Sequence, residues 1–411
     1  MRVTALILVA ASLAPALARS HVQGSPGQGA ATSPPGPRLT PATLAALEAA
    51  IADVEAGRRT TPFIGEPAAS GARTVTFLAR RGRGGIPRIV SDATGWGDRP
   101  DDTFDFTAGT MTRAGKGDWY FLEAGVAPRA RIEYLVAHGA GDYAIDPYNP
   151  RRQDWHGGGP ASEFVMPDYV PPPALEGPPP VPAGRVDEVV IESRALGGSR
   201  RAIVYTPPGY REDAAYPAAV FHEGRNVAER GAPHVLDWLT ARGEMEPIVA
   251  AFVESSSPGA TTSPTPAMET FLAAEVPAWL ATHYAVTPDP GKRAILGISA
   301  RAKAAIEAAT VSPGGFGRVG LIIPGRLLRG EDISGAAARC RQRLHVCILA
   351  GQYDFSNLPT ARRLRDVLGA AGHRVDYIEV PEGHNPTTWR NHLSEVFASL
   401  FPGGRASQVL G

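Results

Sequence analysis

The sequence predicts an α/β protein with a mostly parallel central sheet in its C-terminal part, preceded by a small all-β, immunoglobulin-like sandwich domain. Three observations predict it. Beyond about residue 186, apolar runs of strand length alternate with helical segments, the pattern of a parallel sheet covered by helices on both faces. Before residue 170 the apolar runs are short, β-rich and separated by Gly, Asp and Pro clusters, as in a sandwich. Between the two stand Pro171-Pro172-Pro173 and Pro178-Pro179-Pro180, which hold extended polyproline geometry and cannot enter a sheet interior. At 411 residues, 43% of them hydrophobic, the chain is long enough for two cores.

The elements follow in chain order. Arg2, an apolar stretch over 3–14 and Ala16-Leu17-Ala18 have the layout of a cleavable secretory signal, so export to the periplasm or medium is expected. The apolar stretch falls short of the roughly 20 residues that span a bilayer, so no stable membrane insertion is expected after cleavage. A Gly/Pro/Ser/Ala tether continues to about residue 38. Thr40-Pro41 then opens an amphipathic helix over about 41–56, with Leu44, Leu47 and Ile51 on one face and Gly57 at its end. The expected division is signal 1–18, tether and helix 19–70, sandwich 71–170, Pro-rich linker 171–185, α/β domain 186–403 and tail 404–411.

Within the sandwich, β runs are expected at 74–79, 87–91, 118–122 and 130–136. Trp96, Trp119, Tyr120 and Tyr134 fill either its core or a carbohydrate-stacking face; aromatics of a small sandwich are more often core. In the α/β domain, strands are expected at 218–221, 248–253, 294–297, 319–323, 346–350 and 375–380. The 41 basic and 41 acidic residues balance, which argues against nucleic acid or an anionic membrane as partner and for a small-molecule or glycan substrate. Cys340 and Cys347, the only cysteines, are open to two readings: a local disulfide, or a buried small hydrophobe at Cys347.

In an open parallel sheet, reactive groups collect beyond the carboxyl ends of the strands. Ser299 follows the strand at 294–297, Asp354 follows 346–350 through Gly351-Gln352-Tyr353, and His384 follows 375–380 through Pro381-Glu382-Gly383. Each alone has an ordinary explanation as a cap, turn or loop residue. Together they stand in the order Ser, Asp, His of the α/β-hydrolase fold. Their chemistry fits as well: a serine hydroxyl is a weak nucleophile until a neutral imidazole takes its proton, and a carboxylate fixes the tautomer. An oxyanion hole would use the backbone N–H of Ala300 and one from the loop His222-Glu223-Gly224-Arg225, where Gly224 permits a close turn. His222 is either a second base or a support for that loop.

These segments resemble the putative esterases that include the enterochelin, feruloyl and acetylxylan esterases. The resemblance rests on residues 204–210 (Val-Tyr-Thr-Pro-Pro-Gly-Tyr), His222-Glu223-Gly224, 271–277, Pro313, Phe316-Gly317-Arg318-Val319, Gly351-Gln352-Tyr353-Asp354, Gly383-His384 and Trp389-Arg390. In the sandwich it rests on Trp96, Trp119-Tyr120, Tyr134, residues 146–150 (Asp-Pro-Tyr-Asn-Pro) and 162–167, so that it spans roughly 72–403. It implies serine-dependent hydrolysis of a carboxylic ester without metal or cofactor. The triad would be Ser299, Asp354 and His384, with the oxyanion hole at Glu223, Gly224 and Ala300. Substrate contacts are expected from His222, Arg225, Arg301 and Trp389.

One departure stands out. Where the family has Ser-x-Gly-Gly, this chain has Ser299-Ala300-Arg301-Ala302. A long side chain there must either splay into the active-site mouth, meeting an anionic substrate or Glu223, or push the elbow open and remove the Ala300 donor. The first outcome gives an enzyme. The second gives a non-catalytic ligand-binding protein on the same scaffold. A third reading makes the sandwich a glycan-binding module that delivers the esterase.

Overall fold

The computed structural model describes residues 40–404, except 100, 102, 140, 156–158, 178–181, 223, 255–264, 312–314, 326–339 and 341. The expected signal, the tether to about residue 38 and all of the expected tail but Gly404 lie outside the described residues. The chain divides into two compact units, Met1–Arg99 with Thr103–Tyr169 and Val170–Gly411 with Pro100–Asp102.

The first unit opens with helix α1 (Pro41–Glu55), where the Thr40 side chain accepts the Thr43 N–H at 3.1 Å and Pro41 occupies the first turn. Nine strands follow: β1 (Phe63–Pro67), β2 (Arg73–Arg80), β3 (Arg88–Ser91), β4 (Thr112–Arg113), β5 (Trp119–Val126), β6 (Arg131–Gly139), β7 (Asp142–Ala144), β8 (Arg152–Trp155) and β9 (Gly159–Val165). They form two antiparallel sheets, β1-β2-β5-β4 and β3-β6-β9-β8, with β7 on the side of β6. Strand alternation decides what each face meets. Phe77 on β2 packs edge-on to Tyr134 and Phe164 of the other sheet, with ring centroids 5.1 and 5.6 Å apart. Its neighbour Leu78 points the opposite way, into a cluster with Leu47, Ile51 and Val54 of α1. The helix is therefore a third layer of this unit, and β1 joins the sheet, where the sequence assigned both to a separate segment ending at residue 70.

Trp119, Tyr120 and Tyr134 are 5%, 6% and 0% exposed, so the aromatics are core and no stacking face is built from them. Trp96 is half-buried, and its indole N–H donates to Asp92 at 2.9 Å. The Asp146-Pro147-Tyr148-Asn149-Pro150 segment serves the same interior. Asp146 accepts from the hydroxyls of Thr61 and Tyr134 at 2.5 and 2.8 Å, and Asn149 donates to Tyr134 at 2.9 Å.

A buried ionic group lies beside this network. Arg131 donates to Glu133 and Glu163 at 3.0 and 2.9 Å, and the Glu133 N–H donates to Asp92 at 2.7 Å. Burial first, and then the Glu133 carboxylate, raise Asp92 from 3.8 to about 7. Protonated Asp92 therefore stabilises the fold. That contribution is full below the unfolded value of 3.8 and is lost as pH rises through about 7. Asp92→Asn is expected to flatten the decline of the sandwich's thermal midpoint between pH 5 and 8; a decline as steep as in the parent protein would show that Asp92 does not carry it.

The second unit holds one eight-stranded mixed sheet in the order β10-β11-β13-β12-β14-β15-β16-β17. Its strands are β10 (Arg185–Ser193), β11 (Gly198–Thr206), β12 (Ala218–His222), β13 (Val249–Val253), β14 (Arg293–Ile298), β15 (Arg318–Ile322), β16 (His345–Gly351) and β17 (Arg374–Val380). Pairings from β13 to β17 are parallel, and the β10–β11 hairpin adds to β13 antiparallel. The sequence reading missed β10 because it is an edge strand with alternate residues exposed, Val186 and Val190 at 48% and 56%.

The helices are α2 (Arg225–Glu229), α3 (Ala232–Arg242), α4 (Pro266–Thr270), α5 (Val276–His283), α6 (Arg301–Val311), α7 (Leu358–Ala370), α8 (Pro386–Asn391) and α9 (Leu393–Leu400). They cover both faces of the sheet. Ile295, Val319 and Ile348 pack with Phe271, Ala305 and Leu364 on one side. Leu296, Ile322 and Leu349 pack with Leu236, Phe397 and Leu400 on the other. Among the described residues no helix is long and apolar enough to cross a membrane. Cys340 and Cys347 are both free thiols, and burial pushes Cys347 up to about 12, so of the two readings the buried hydrophobe holds.

Candidate active site

The elbow is built by one close approach. β14 runs to Ile298, α6 starts at Arg301, and only Ser299 and Ala300 turn the chain between them. A Cβ on Gly297 would lie 2.3 Å from the Arg301 carbonyl oxygen, so no larger residue allows the helix to start there. Ser299 takes φ 54°, a left-handed conformation that costs a non-glycine residue about 1–3 kcal/mol. Three hydrogen bonds hold it: Ser299 N–H to Ile322 C=O at 2.9 Å, and Ala302 and Gly325 N–H to Ser299 C=O, each at 3.1 Å.

The turn lifts the hydroxyl off the end of the sheet, where the other two strand-end loops meet it. Ser299 Oγ lies 2.8 Å from His384 Nε2, and His384 Nδ1 lies 2.6 Å from Asp354 Oδ2. The three residues expected to act together are thus brought into one hydrogen-bonded chain. Asp354 is 6% exposed, and its second oxygen accepts from Asn357 Nδ2 at 2.8 Å. Both carboxylate oxygens are therefore engaged, which fixes the plane in which the imidazole must lie. Asn357 was not singled out from the sequence; its signal is the Asp-x-x-Asn spacing, which places it at the N-cap of α7.

The loops that carry Asp354 and His384 are joined by backbone. Gln352 N–H donates to Val380 C=O at 2.8 Å and Tyr353 N–H to Glu382 C=O at 3.0 Å. Gly351 makes this possible, since a Cβ there would stand 2.6 Å from the Glu382 oxygen.

Arg301 does not open the elbow. It is half-buried at the first position of α6, while Ala302, Ala304 and Ala305 behind it are fully buried. His222 lies beneath it at 4% exposure and hydrogen-bonds the Arg301 backbone. Burial, and then the nearby guanidinium, push the His222 imidazole down to about 3, so it stays neutral. His222 is thus neither a second base nor an accessible substrate contact; it props the start of the elbow helix.

The oxyanion donors divide. Among the described residues the Ala300 N–H has no acceptor, and Gly325 lies beside it, with a Cβ there 3.2 Å from Ala300 N and 3.0 Å from Ser299 Oγ. Gly224 is no donor, because its N–H is spent on Val253 C=O at 2.9 Å; a Cβ on it would meet Phe252 Cα at 2.6 Å. Glu223 lies outside the described residues. Two further expected contacts fail for plain reasons. The Arg225 guanidinium is held by Glu229 and Glu188 at 2.8 and 3.3 Å, and Trp389 is 4% exposed within the core beside Leu393 and Phe397.

Solved structures similar to this chain include esterases. The ferric enterobactin esterase of Salmonella typhimurium is similar at TM-score 0.66 and 19% identity, over 83% of this chain and 96% of that one. The enterobactin esterase of Shigella flexneri, solved in the presence of enterobactin, is similar at TM-score 0.63 and 17% identity, over 83% and 96%. At such identities the likeness shows the fold alone. No curated protein matches by sequence. Residues 193–326, which run from the hairpin of the second unit through the elbow to Gly325, match the model of the family described as putative esterase. That segment carries the chain's likeness to the putative esterase family.

Proposed function

We propose that this protein is an exported serine carboxylester hydrolase that works through an acyl-enzyme. The carrying observation is the relay from Ser299 through His384 to Asp354, at 2.8 and 2.6 Å, with the serine on a left-handed turn. Ser299 Oγ attacks the ester carbonyl while His384 Nε2 takes its proton; the same nitrogen then returns the proton to the departing alcohol. Water repeats the cycle on the acyl-enzyme. Asp354 stabilises the imidazolium, and the Ala300 N–H, with the N–H of Glu223, meets the tetrahedral oxyanion. The signal-like N-terminus supports a periplasmic or secreted location.

The substrate is a siderophore-type or an acylated-carbohydrate ester. The enterobactin esterases that share the fold support the first. An arginine at 301, the first residue of the elbow helix, would likewise suit an anionic or catecholate-bearing acyl group.

Three outcomes are expected. A fluorophosphonate probe labels the protein, a nitrophenyl acyl ester is hydrolysed, and Ser299→Ala abolishes both. If the two proteins behave alike, the esterase reading fails and the ligand-binding alternative takes its place. Gly325→Ala is expected to lower kcat by roughly 10²–10³, the effect of losing one oxyanion donor, with KM little changed, because the new methyl crowds Ser299 Oγ and Ala300 N–H. Arg301→Gly is expected to raise KM up to about fivefold for an anionic ester, the scale of one charge contact of up to about 1 kcal/mol, and to leave a neutral ester unaffected. Equal changes for both esters would place the guanidinium away from substrate.

A further inference from the structure

Helix α7 begins on an asparagine that does not cap it. Asparagine is a preferred N-cap residue because its side-chain oxygen, from an extended backbone, accepts an N–H of the first turn. Asn385 does this for α8, at φ −143° and ψ 164°, with its Oδ1 accepting the Thr388 N–H at 2.9 Å. Thr40 and Thr265 do the same for α1 and α4. Asn357 holds that place on α7 with φ −108° and ψ −20°, and its side chain makes no cap bond.

The turn before the helix explains the difference. The Asp354 carbonyl accepts the Asn357 N–H at 3.0 Å and the Leu358 N–H at 2.8 Å, so residues 354–357 already coil as a helical turn. Side chains three apart lie side by side in such a turn, and Asn357 Nδ2 donates to Asp354 Oδ1 at 2.8 Å. That bond fixes the orientation of the amide, since the flipped group would set its oxygen against a carboxylate oxygen. An unpaired atom results: Asn357 is 8% exposed, and its Oδ1 is buried with no hydrogen-bond partner among the described residues. A forgone cap and an unsatisfied buried acceptor both cost the fold stability. The hydrogen bond obtained in exchange is to Asp354.

We propose that Asn357 is a positioning residue for the reaction, acting through Asp354; this rests on the esterase reading above. The two oxygens of a carboxylate are equivalent and its last torsion is broad, so an aspartate held by the imidazole alone is free to turn or to exchange one oxygen for the other. The Asn357 donor occupies Oδ1 and leaves Oδ2 to His384 Nδ1, at 2.6 Å. The same amide nitrogen stands 3.5 Å from His384 Nδ1. Both atoms are donors when Nδ1 carries its proton, so this contact acts as a stop that keeps the ring on Oδ2. With that side of the ring fixed, Nε2 stays aimed at Ser299 Oγ, 2.8 Å away. Stability given up at the start of α7 thus appears as alignment of the relay.

The test is a double-mutant cycle read by kcat and KM for a nitrophenyl acyl ester, corrected for buffer hydrolysis, and by the thermal midpoint. The proteins are the parent, Asn357→Leu, Asn357→Ser, Asp354→Ala and Asp354→Ala/Asn357→Leu. Leucine keeps the branched shape while removing both the donor and the unpaired oxygen, and serine is a strong N-cap residue. Each single change at 357 is expected to lower kcat about tenfold, the scale of one hydrogen bond to a charged group, with KM within about twofold. The thermal midpoint is expected to hold or rise. On the Asp354→Ala protein, Asn357→Leu is expected to change kcat by less than about twofold, because the carboxylate through which it acts is gone. Folded variants with the parent's kcat overturn the proposal and leave the esterase reading standing. So does a tenfold loss that persists without Asp354, or a loss that both variants share with a lowered thermal midpoint, since either makes Asn357 a structural residue only. A parent protein that neither hydrolyses the ester nor takes up a fluorophosphonate overturns the esterase reading, and the role of Asn357 with it.

Discussion

The contact between Gly297 and the carbonyl of Arg301 is the constraint from which the site follows. With a hydrogen in place of a side chain at 297, the helix can begin two residues after the strand ends, and the chain can turn so tightly only if Ser299 goes left-handed. That conformation aims the hydroxyl away from the sheet, toward the loops after β16 and β17. The strain is carried by β15, whose Ile322 carbonyl takes the Ser299 N–H, and by Gly325 just beyond. Serine position is thus set by backbone on both sides. The glycine that the family uses at residue 301 eases the same approach but is not what creates it.

The arginine at 301 carries its own cost. A cation in the first turn of a helix opposes the macrodipole by about 0.3–1 kcal/mol. The structure limits the charge there by keeping His222, directly below, neutral through burial. What remains around the Ala300 N–H is the N-terminal end of α6, which is eleven residues long and positive by its macrodipole. In a serine hydrolase this is where negative charge develops.

Much of this was legible in the sequence, because the signals were local. Strand-end placement gave Ser299, Asp354 and His384, and the switch from short β runs to alternating apolar runs gave the two units. Other features depended on contacts between distant residues. Glycine at 224 announced a close approach but not its partner; the partner is Phe252, and the pairing with Val253 consumes the N–H that an oxyanion hole would need. Trp389 follows His384 by five positions, yet the helical turn of α8 carries it into the core. Arg225 looked available until Glu188, on an edge strand missed in the sequence, came to stand beside it. α1 read correctly as a helix, but nothing in its own residues said that it would cover Leu78.

Both units bury charge, and they solve the cost differently. In the sandwich, Arg131 neutralises Glu133 and Glu163, while burial and the Glu133 carboxylate raise Asp92 to about 7. In the α/β unit, the buried Glu382 carboxylate meets a histidine, His392, at 3.0 Å, a group whose charge is itself conditional. A lysine or arginine would be a permanent partner, but with a longer side chain to immobilise and no second face for Glu395. The short, two-sided imidazole fits the junction between α8 and α9, where it links the helix pair to the loop that carries His384 through one ring. One ring thus meets a buried carboxylate and a half-exposed one at the same time.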